Sequence, residues 1–198
     1  RFIADAAHQL RTPLAGIKTQ TELLLRQRDP AEVQHTLQQL NTATEQTAHL
    51  VNQLLTLARA EPGADRVQAL QPVDLTALAR NAATEWVPRA LARNIDLGFD
   101  GASPALIEAE PFLIREMLGN LLDNAIRYTQ SGGRATVRVA TTEDHVTLEV
   151  EDNGPGIPAA ERERVFERFY RVLGTGAEGC GLGLAIVREI AQGHNAEI

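Results

Sequence analysis

The sequence is poor in cysteine and in long apolar runs. Its single cysteine, Cys180, excludes an internal disulfide and is typical of a reducing compartment. No apolar run approaches the roughly 20 residues that a membrane-spanning helix needs, and no signal-peptide pattern follows Arg1. Because the first residue is not Met, we expect a part of a longer protein, with any membrane segment outside this chain.

Basic residues are also scarce. Lys18 is the only lysine, the arginines are scattered, and the net charge is -7. A nucleic-acid-binding protein would show a basic patch or stripe, so we expect no nucleic-acid partner. With 43% hydrophobic and 23% charged residues, the composition is that of an ordinary soluble protein. The chain is long enough to bury a core without disulfides.

The first 60 residues have the apolar spacing of packed helices. Steps of three and four separate the apolar residues of two runs, one from Ile3 to Leu24 and one from Val33 to Ala58. Between them, Asp29, Pro30 and Glu32 form a helix-start signal. We therefore predict a helical hairpin over 1–60, with Ala7 and Leu10 pointing inward. Because one hairpin with a narrow seam buries little, we expect a homodimer that forms a four-helix bundle.

The rest of the chain mixes helices and strands. Glycine and two prolines interrupt the periodicity after position 60, which predicts a linker over 61–73. A domain over 74–198 follows, with Asp74 capping a helix that runs to about Arg93. Further helices are predicted at 112–128, 159–169 and 182–191, with strands near 95–99 and 106–108 and a hairpin at 134–151. This order predicts an α+β sandwich with helices on one face of a mixed sheet.

The helix at 112–128 carries two stacked asparagines. Asn120 and Asn124 lie one turn apart on one face, and asparagine is only a middling helix former. Their amide oxygens would suit Mg²⁺ and its phosphates. The alternative is a polar face turned to solvent.

A glycine turn follows the second strand of the predicted hairpin. In "DNGPGI", Asp152 begins a turn that Gly154 and Gly156 allow to fold back tightly. Such a loop lets backbone approach a ligand closely, and the Asp152 carboxylate can accept a hydrogen bond from an exocyclic amine. The alternative is an ordinary surface turn.

A second glycine-rich stretch leads into the last helix. Gly174, Gly176 and Gly179 spell G-x-G-x-x-G, but a helical pattern precedes them and the helix begins only after Gly183, which excludes a dinucleotide-binding βαβ unit. No P-loop motif occurs. We interpret 170–181 as a mobile lid, followed by exposed amides at a helix start that form an anion site.

These segments together resemble a known family. "HQLRTPL", "NLLDNAIRY", "DNGPGI", "FERFYR" and "GCGLGL" occur in this order and are similar to the H, N, G1, F and G2 boxes of bacterial two-component sensor histidine kinases. The resemblance covers almost the whole chain. It implies a dimerisation and phosphotransfer hairpin followed by a Bergerat-type ATP-binding domain, with ATP and Mg²⁺ as cofactors.

The resemblance also implies roles for individual residues in nucleotide binding. Asn124 would hold Mg²⁺, with Asn120 beside the phosphates, and Asp152 would bind the adenine amine. Arg168 would reach the γ-phosphate. Phe166 and Phe169 would either anchor the lid or pack in the core. The remaining implied nucleotide-binding residues are Arg127, Tyr128, Gly154, Gly156, Gly179, Gly181, Leu182 and Gly183. Cys180 has no base placed beside it, so we interpret it as a small lid residue.

His8 would be the phosphate acceptor. Its imidazole would attack the γ-phosphoryl group of ATP and pass it to an aspartate on the receiver domain of a response regulator. Thr12, one turn later, would position a water for dephosphorylation of that partner, and Pro13 would bend the helix just past His8. Gln9 departs from the family, which usually has Glu or Asp there, because an amide accepts a hydrogen bond but no proton. His35, His49, His145 and His194 are interpreted as surface or structural residues.

Two rival functions remain at this stage. The nucleotide boxes are shared with gyrase-like and heat-shock ATPases, which lack the hairpin that bears His8, and a degenerate kinase would serve only as a dimerising scaffold. The resemblance implies the cytoplasmic portion of an inner-membrane protein, and membrane contact only through segments absent from this chain. The family usually continues past Ile198 with a closing strand or two, so we expect the sheet to lack an edge strand.

Overall fold

The computed structural model describes residues 2–60, 70–172 and 179–198, with the side chains of residues 2–5 left aside. Most of the predicted linker, 61–69, and the middle of the predicted lid, 173–178, lie outside the described residues. The chain divides into two compact units, one up to Leu55 and one from Thr56 to Ile198.

The first unit is a helical hairpin. Helix α1 spans Phe2–Leu24 and continues through Pro13, and α2 spans Pro30–Ala60, whose last turn belongs to the second unit. The carboxylate of Asp29 accepts a hydrogen bond from the Ala31 amide at 2.9 Å, which satisfies a donor in the first turn of α2. The predicted helix start is therefore confirmed. No helix within the described ranges is long and apolar enough to cross a membrane.

The second unit contains two sheets. Strand β1, Gln71–Asp74, pairs antiparallel with β3, Leu106–Ala109. The larger sheet has the order β2-β4-β5 and is mixed. In it, β2, Asp96–Asp100, runs parallel to β4, Arg134–Thr141, and β4 runs antiparallel to β5, Val146–Asp152. The predicted hairpin and the mixed sheet are confirmed.

The described part of this unit also contains the α-helices α3, Leu75–Ala92; α4, Pro111–Tyr128; and α5, Gly183–Gly193. Alternate residues of β4 (Ala135, Val137 and Val139) are buried, while α3 and α4 lie against the strands and α5 packs on α4. The core is filled chiefly by fully buried aliphatic side chains from α4, α5 and β4, namely Leu118, Leu122, Ile186, Ile190 and Val137. This is the predicted α+β sandwich. It presents the end of β5 and the start of α5 beside α4.

Asp74 caps α3 as predicted. Its carboxylate accepts hydrogen bonds from the amides of Thr76 at 3.0 Å and Ala77 at 3.3 Å. The same oxygen accepts from the Ala105 amide at 3.2 Å. One side chain thus begins the helix and ties it to the segment before β3.

Two predictions of secondary structure were wrong. Residues 71–73, assigned to the linker, are part of β1. Pro72 is tolerated there because, among the described residues, β1 pairs with β3 alone and so has one edge without a partner strand. The predicted helix at 159–169 is instead two short 3-10 turns, Ala159–Glu161 and Arg164–Phe166. The Phe166 carbonyl accepts a hydrogen bond from the Arg188 guanidinium at 2.7 Å, so a contact with α5 replaces the backbone bond that would extend a helix.

Candidate nucleotide site and phosphate acceptor

One face of α4 carries the polar residues predicted to bind a nucleotide. Asn120, Asn124, Arg127 and Tyr128 recur at helical spacing on α4. Asn120 is buried, and the other three are half-buried. The Asn120 amide nitrogen donates to the Glu116 carbonyl at 2.8 Å, which leaves its oxygen directed elsewhere. The asparagines therefore do not form the solvent-facing stripe that was the alternative.

The turn after β5 packs against the end of α4. The Asp152 carboxylate accepts a hydrogen bond from the Gly154 amide at 2.8 Å. A Cβ at position 154 would lie 2.7 Å from that carboxylate and 3.1 Å from the Tyr128 carbonyl oxygen, so only glycine fits without a shift. At Gly156 the backbone φ is +69°, a left-handed conformation that favours glycine. The second predicted segment thus lies directly beside the first.

The glycines before α5 lie along the same face of α4. A Cβ at position 179 would be 2.9 Å from Arg127 Nη1, and one at position 183 would be 3.1 Å from Asn120 Oδ1. Leu182, the residue directly before α5, is fully buried and fixes the start of that helix. Within the described residues, no side chain caps α5 at Leu182. The start of α5, at Gly183, therefore lies beside Asn120 with no side-chain cap at Leu182.

Two segments thus pack against α4, and together with α4 they contribute different chemistries. The start of α5 offers amide donors and the positive end of a helix dipole, and Arg127 adds a guanidinium, so this part suits phosphate groups. Asp152 offers a carboxylate acceptor that suits an exocyclic amine. An adenine nucleotide carries both kinds of group. The arrangement therefore suits an adenine nucleotide.

The site can contribute to Mg²⁺ binding even though the protein does not supply all of the ligands. Among the described residues, no group of three His, Cys, Asp or Glu side chains is close enough to hold a metal ion. Mg²⁺ usually keeps several waters and takes one or two protein oxygens together with substrate phosphates. The half-buried amide of Asn124, on the face where the α5 amides lie, is one such oxygen donor. The donor set therefore fits Mg²⁺ brought in with a nucleotide.

Arg168 lies on α5. Its guanidinium pairs with Glu189 at 2.9 Å, and both side chains are mostly buried. Contact of Arg168 with a γ-phosphate stays a prediction. Phe169 has a φ of +65°, and its amide donates to the Gly181 carbonyl at 2.8 Å. Phe169 and Gly181 thus close the base of the segment interpreted as a lid.

The sequence reading missed several polar partners around the site. Asp123 binds Arg127 at 2.6 Å, and the signal for it was an acid four residues before a base on one helix. Tyr170 donates a hydrogen bond to Glu161, and Arg164 lies 4.2 Å above the Tyr170 ring. No short-range pattern signals that second cluster, because irregular backbone brings it together.

Cys180 is half-buried between Gly179 and Gly181, and burial raises the pKa of its thiol. A raised pKa keeps the thiol protonated at neutral pH, which fits its interpretation as a small packing residue.

The proposed phosphate acceptor lies on α1, in the first unit. His8 and Thr12 are both exposed, one turn apart, and Gln9 is half-buried. Leu10 is half-buried as expected, but Ala7, expected to point inward, is exposed. In the single chain, the half-buried residues of α1 include Ala6, Gln9, Leu10, Pro13 and Ile17. This face is displaced by one residue from the predicted seam. His35 and His49 are exposed, as predicted.

Comparison with known proteins agrees with both units. Residues 1–63 match the family described as His Kinase A (phospho-acceptor) domain, and residues 109–198 match the family described as histidine kinase-, DNA gyrase B- and HSP90-like ATPase. The solved structure of the mycobacterial sensor histidine kinase MprB is 32% identical, with 64% of this chain and 80% of that chain covered and a TM-score of 0.55. The chain belongs to the sensor histidine kinases.

Alignments with other members of this histidine kinase family extend over all or nearly all of this chain. The sensor protein kinase PmrB of Pseudomonas aeruginosa is 37% identical over 199 residues, which span 100% of this chain and 41% of PmrB. The chain therefore spans less than half the length of this relative. The histidine kinase ThkA, solved in complex with the response regulator protein TrrA, has a TM-score of 0.77 at 23% identity, covering 98% of this chain and 55% of that chain. That likeness shows the fold of the kinase core.

Proposed function

We propose that this chain is the core of an ATP-dependent histidine autokinase that phosphorylates His8 and passes the phosphoryl group to an aspartate of a response regulator. The observation that carries the proposal is the convergence of Asn124, Asp152 and the α5 amides around α4 in one unit. The other unit matches a phospho-acceptor domain and presents an exposed histidine.

The reaction at His8 needs a neutral imidazole and an accessible phosphoryl group. A ring nitrogen attacks the γ-phosphorus of ATP in line, and a nitrogen–phosphorus bond forms while the bond to the oxygen that bridges the β- and γ-phosphates breaks. ADP leaves with that electron pair, and the second ring nitrogen releases its proton. Exposure of His8 in α1 leaves it open to a bulky phosphate donor.

The second unit would bind and orient ATP. Asp152 accepts a hydrogen bond from the adenine amine, and Gly154 and Gly156 allow the ring to approach the backbone. Arg127, Asn120 and the amides at Gly181, Leu182 and Gly183 hold the phosphates, with Tyr128 beside them. Asn124 holds Mg²⁺, which supplies charge neutralisation at the phosphates when it is bound.

The hairpin would form a homodimer. Exposed apolar side chains form a stripe on one face of α2, at Leu37, Val51 and Leu55, and Leu14 is exposed on α1, each between 37% and 56% exposed. A second copy that covers this stripe would complete a four-helix bundle. The apolar stripe and the match to a dimerising domain type support this assembly.

The partner would be the receiver domain of a response regulator, as in the ThkA–TrrA complex. Its aspartate attacks the phosphoryl group on His8, the nitrogen–phosphorus bond breaks, and the imidazole recovers the electron pair. Thr12 lies one turn from His8 and is also exposed. Its hydroxyl group is therefore suited to orient a water molecule that dephosphorylates the response regulator. We place the chain in the cytoplasmic portion of an inner-membrane sensor, by analogy with its relatives.

Incubation of the chain with ATP labelled at the γ-phosphate, in the presence of Mg²⁺, tests this proposal. We expect an acid-labile label that is absent from His8→Ala and retained in His35→Ala, which removes another exposed helical histidine. Hydrolysis of ATP without label on the protein would favour a gyrase-like ATPase. Label retained in His8→Ala would contradict the assignment.

A further inference from the structure

Asp123 lies between two guanidinium groups on the edge of the nucleotide site. It is 2.6 Å from Arg127 on its own helix and 3.8 Å from Arg89 on α3. The Asp123 and Arg127 side chains are only 23% and 26% exposed, whereas Arg89 is 66% exposed and stacks over Trp86 at 4.7 Å. The Arg127 contact is therefore the shorter and better shielded of the two.

The two ends of the Arg127 guanidinium have different surroundings. Nη2 donates to Asp123, and Nη1 points at Gly179, where a Cβ would lie 2.9 Å from it. The positive charge of Arg127 also acts on the Cys180 thiol, one residue further. The hydrogen bond to Asp123 thus holds one side of the guanidinium, while Nη1 lies beside the backbone that leads into α5.

We propose that Asp123 is a positioning residue for nucleotide phosphates, which it serves by holding Arg127 against the glycine segment before α5. This inference rests on the proposed function of the site. A long arginine side chain loses much rotamer freedom when it binds a phosphate. Because the ion pair fixes the side chain beforehand, ATP binding bears less of that loss.

A competing electrostatic effect would act in the opposite direction. Removal of a carboxylate near a phosphate site makes the surroundings more positive and would tighten ATP binding. The Asp123 charge is already offset by two arginines, and salt screens what remains over about 8 Å at physiological ionic strength. We therefore expect that, in a variant without the carboxylate, the loss of positioning weakens ATP binding more than the loss of negative charge strengthens it. The two effects predict opposite changes in the Kd for ATP.

The test is ATP binding by the 198-residue chain, measured by displacement of a fluorescent ATP analogue, with adenosine as the second ligand. Asp123→Ala is expected to raise the Kd for ATP about five- to tenfold, as expected for partial loss of a charge-assisted hydrogen bond. The Kd for adenosine, which lacks phosphates, stays unchanged. Asp123→Asn, whose amide oxygen still accepts from Arg127, is expected to give a smaller loss.

Two further variants separate positioning from a structural role. In an Arg127→Gln background, Asp123→Ala is expected to have no added effect on the Kd for ATP. Glu85→Gln, which breaks the exposed Glu85–Arg115 pair of 3.3 Å between the same two helices, is the matched control and leaves both affinities unchanged.

Tighter ATP binding in Asp123→Ala, an equal loss for adenosine, or an undiminished effect in the Arg127→Gln background would overturn the inference. If the unmodified chain binds no ATP, the proposed function fails together with it. If the unmodified chain binds ATP and Asp123→Ala matches it, only the inference fails.

Discussion

At the scale of single residues, Gln9 is the most informative departure from the family to which the chain belongs. It follows the exposed His8 and is itself half-buried on α1. An amide oxygen at this position can orient the second ring nitrogen but cannot take up its proton. Gln9→Glu would add a group that does both.

We predict that Gln9→Glu raises the rate of autophosphorylation about tenfold near neutral pH and changes the pH profile, because a carboxylate assists deprotonation of the ring. Initial rates of label incorporation between pH 6 and about pH 9 measure this. Gln34→Glu, an exposed glutamine on α2, is the control for added charge. Superimposable pH profiles for Gln9→Glu and the unmodified chain would remove any role for this position.

Cys180 gives a second prediction at this scale. Because burial raises the pKa of its thiol, less thiolate is present at pH 8 than in an ordinary cysteine, and thiolate is the reactive form. We predict alkylation by iodoacetamide that is severalfold slower than in the denatured chain and that increases as the pH rises toward the raised pKa. Mass spectrometry of quenched time points follows the reaction. Equal rates in the folded and denatured chain would contradict the burial of this thiol.

At the scale of elements, the base of the glycine segment depends on a backbone contact. Gly181 has a φ of +73°, and a Cβ there would lie 2.7 Å from the Phe169 carbonyl carbon and the Tyr170 oxygen. These atoms belong to the backbone and cannot move aside as a flexible side chain would. The hydrogen bond from the Phe169 amide to the Gly181 carbonyl depends on the same conformation.

We therefore predict that Gly181→Ala lowers the free energy of unfolding by about 1–2 kcal/mol from the left-handed conformation alone and weakens ATP binding as well. Chemical denaturation and ATP titration measure the two effects. Gly16→Ala is the matched control, because a Cβ at that helical position contacts nothing within 4 Å, and it should stabilise by about 0.5–1 kcal/mol. Normal stability and affinity in Gly181→Ala would contradict the described loop base.

His194 connects the end of α5 to the start of α4. Its Nδ1 lies 2.7 Å from the Ile190 carbonyl, which can only accept, so Nδ1 carries the proton. Nε2 then accepts from the Glu110 amide at 3.1 Å, at the residue that precedes α4. The imidazole therefore satisfies one donor and one acceptor at two helix ends.

We predict that His194→Phe lowers the free energy of unfolding by about 1–3 kcal/mol, because the Glu110 amide and the Ile190 carbonyl lose their side-chain partner. His49→Ala, at an exposed site, should change it by about 0.5 kcal/mol or less. Urea denaturation followed by circular dichroism compares them. A stability loss in His49→Ala equal to that in His194→Phe would argue against the specific role of the two hydrogen bonds.

At the scale of the whole molecule, periodicity and cap residues predicted most elements. Asp29 and Asp74 mark helix starts that the structure confirms, and the alternation at 134–151 predicted the β4–β5 hairpin. These features depend on neighbours in the sequence. Strand β1 was missed because its pairing partner, β3, lies more than 30 residues away in the sequence and Pro72 reads locally as a linker residue.

In the candidate site, too, features that depend on nearby residues in the sequence were predicted, and features that depend on distant residues were not. Asn120, Asn124 and Asp152 were identified because each belongs to a short motif on a predictable element. The packing of Gly179 against Arg127 and of Gly183 against Asn120 was not predictable, since it depends on how α5 lies along α4. A contact with α5 also explains why the helix predicted over 159–169 is two short turns. In it, Arg188 of α5 donates to the Phe166 carbonyl.

The central claim of this account is that His8 receives the phosphoryl group from ATP. Its most direct test is to locate the phosphate by mass spectrometry of peptides from the chain after incubation with ATP and Mg²⁺, handled at alkaline pH to preserve phosphohistidine. We predict phosphate on the peptide that contains His8, and none in Asn124→Ala, which loses the proposed Mg²⁺ ligand. Phosphate on a different residue, or none on a chain that binds ATP, would contradict the account.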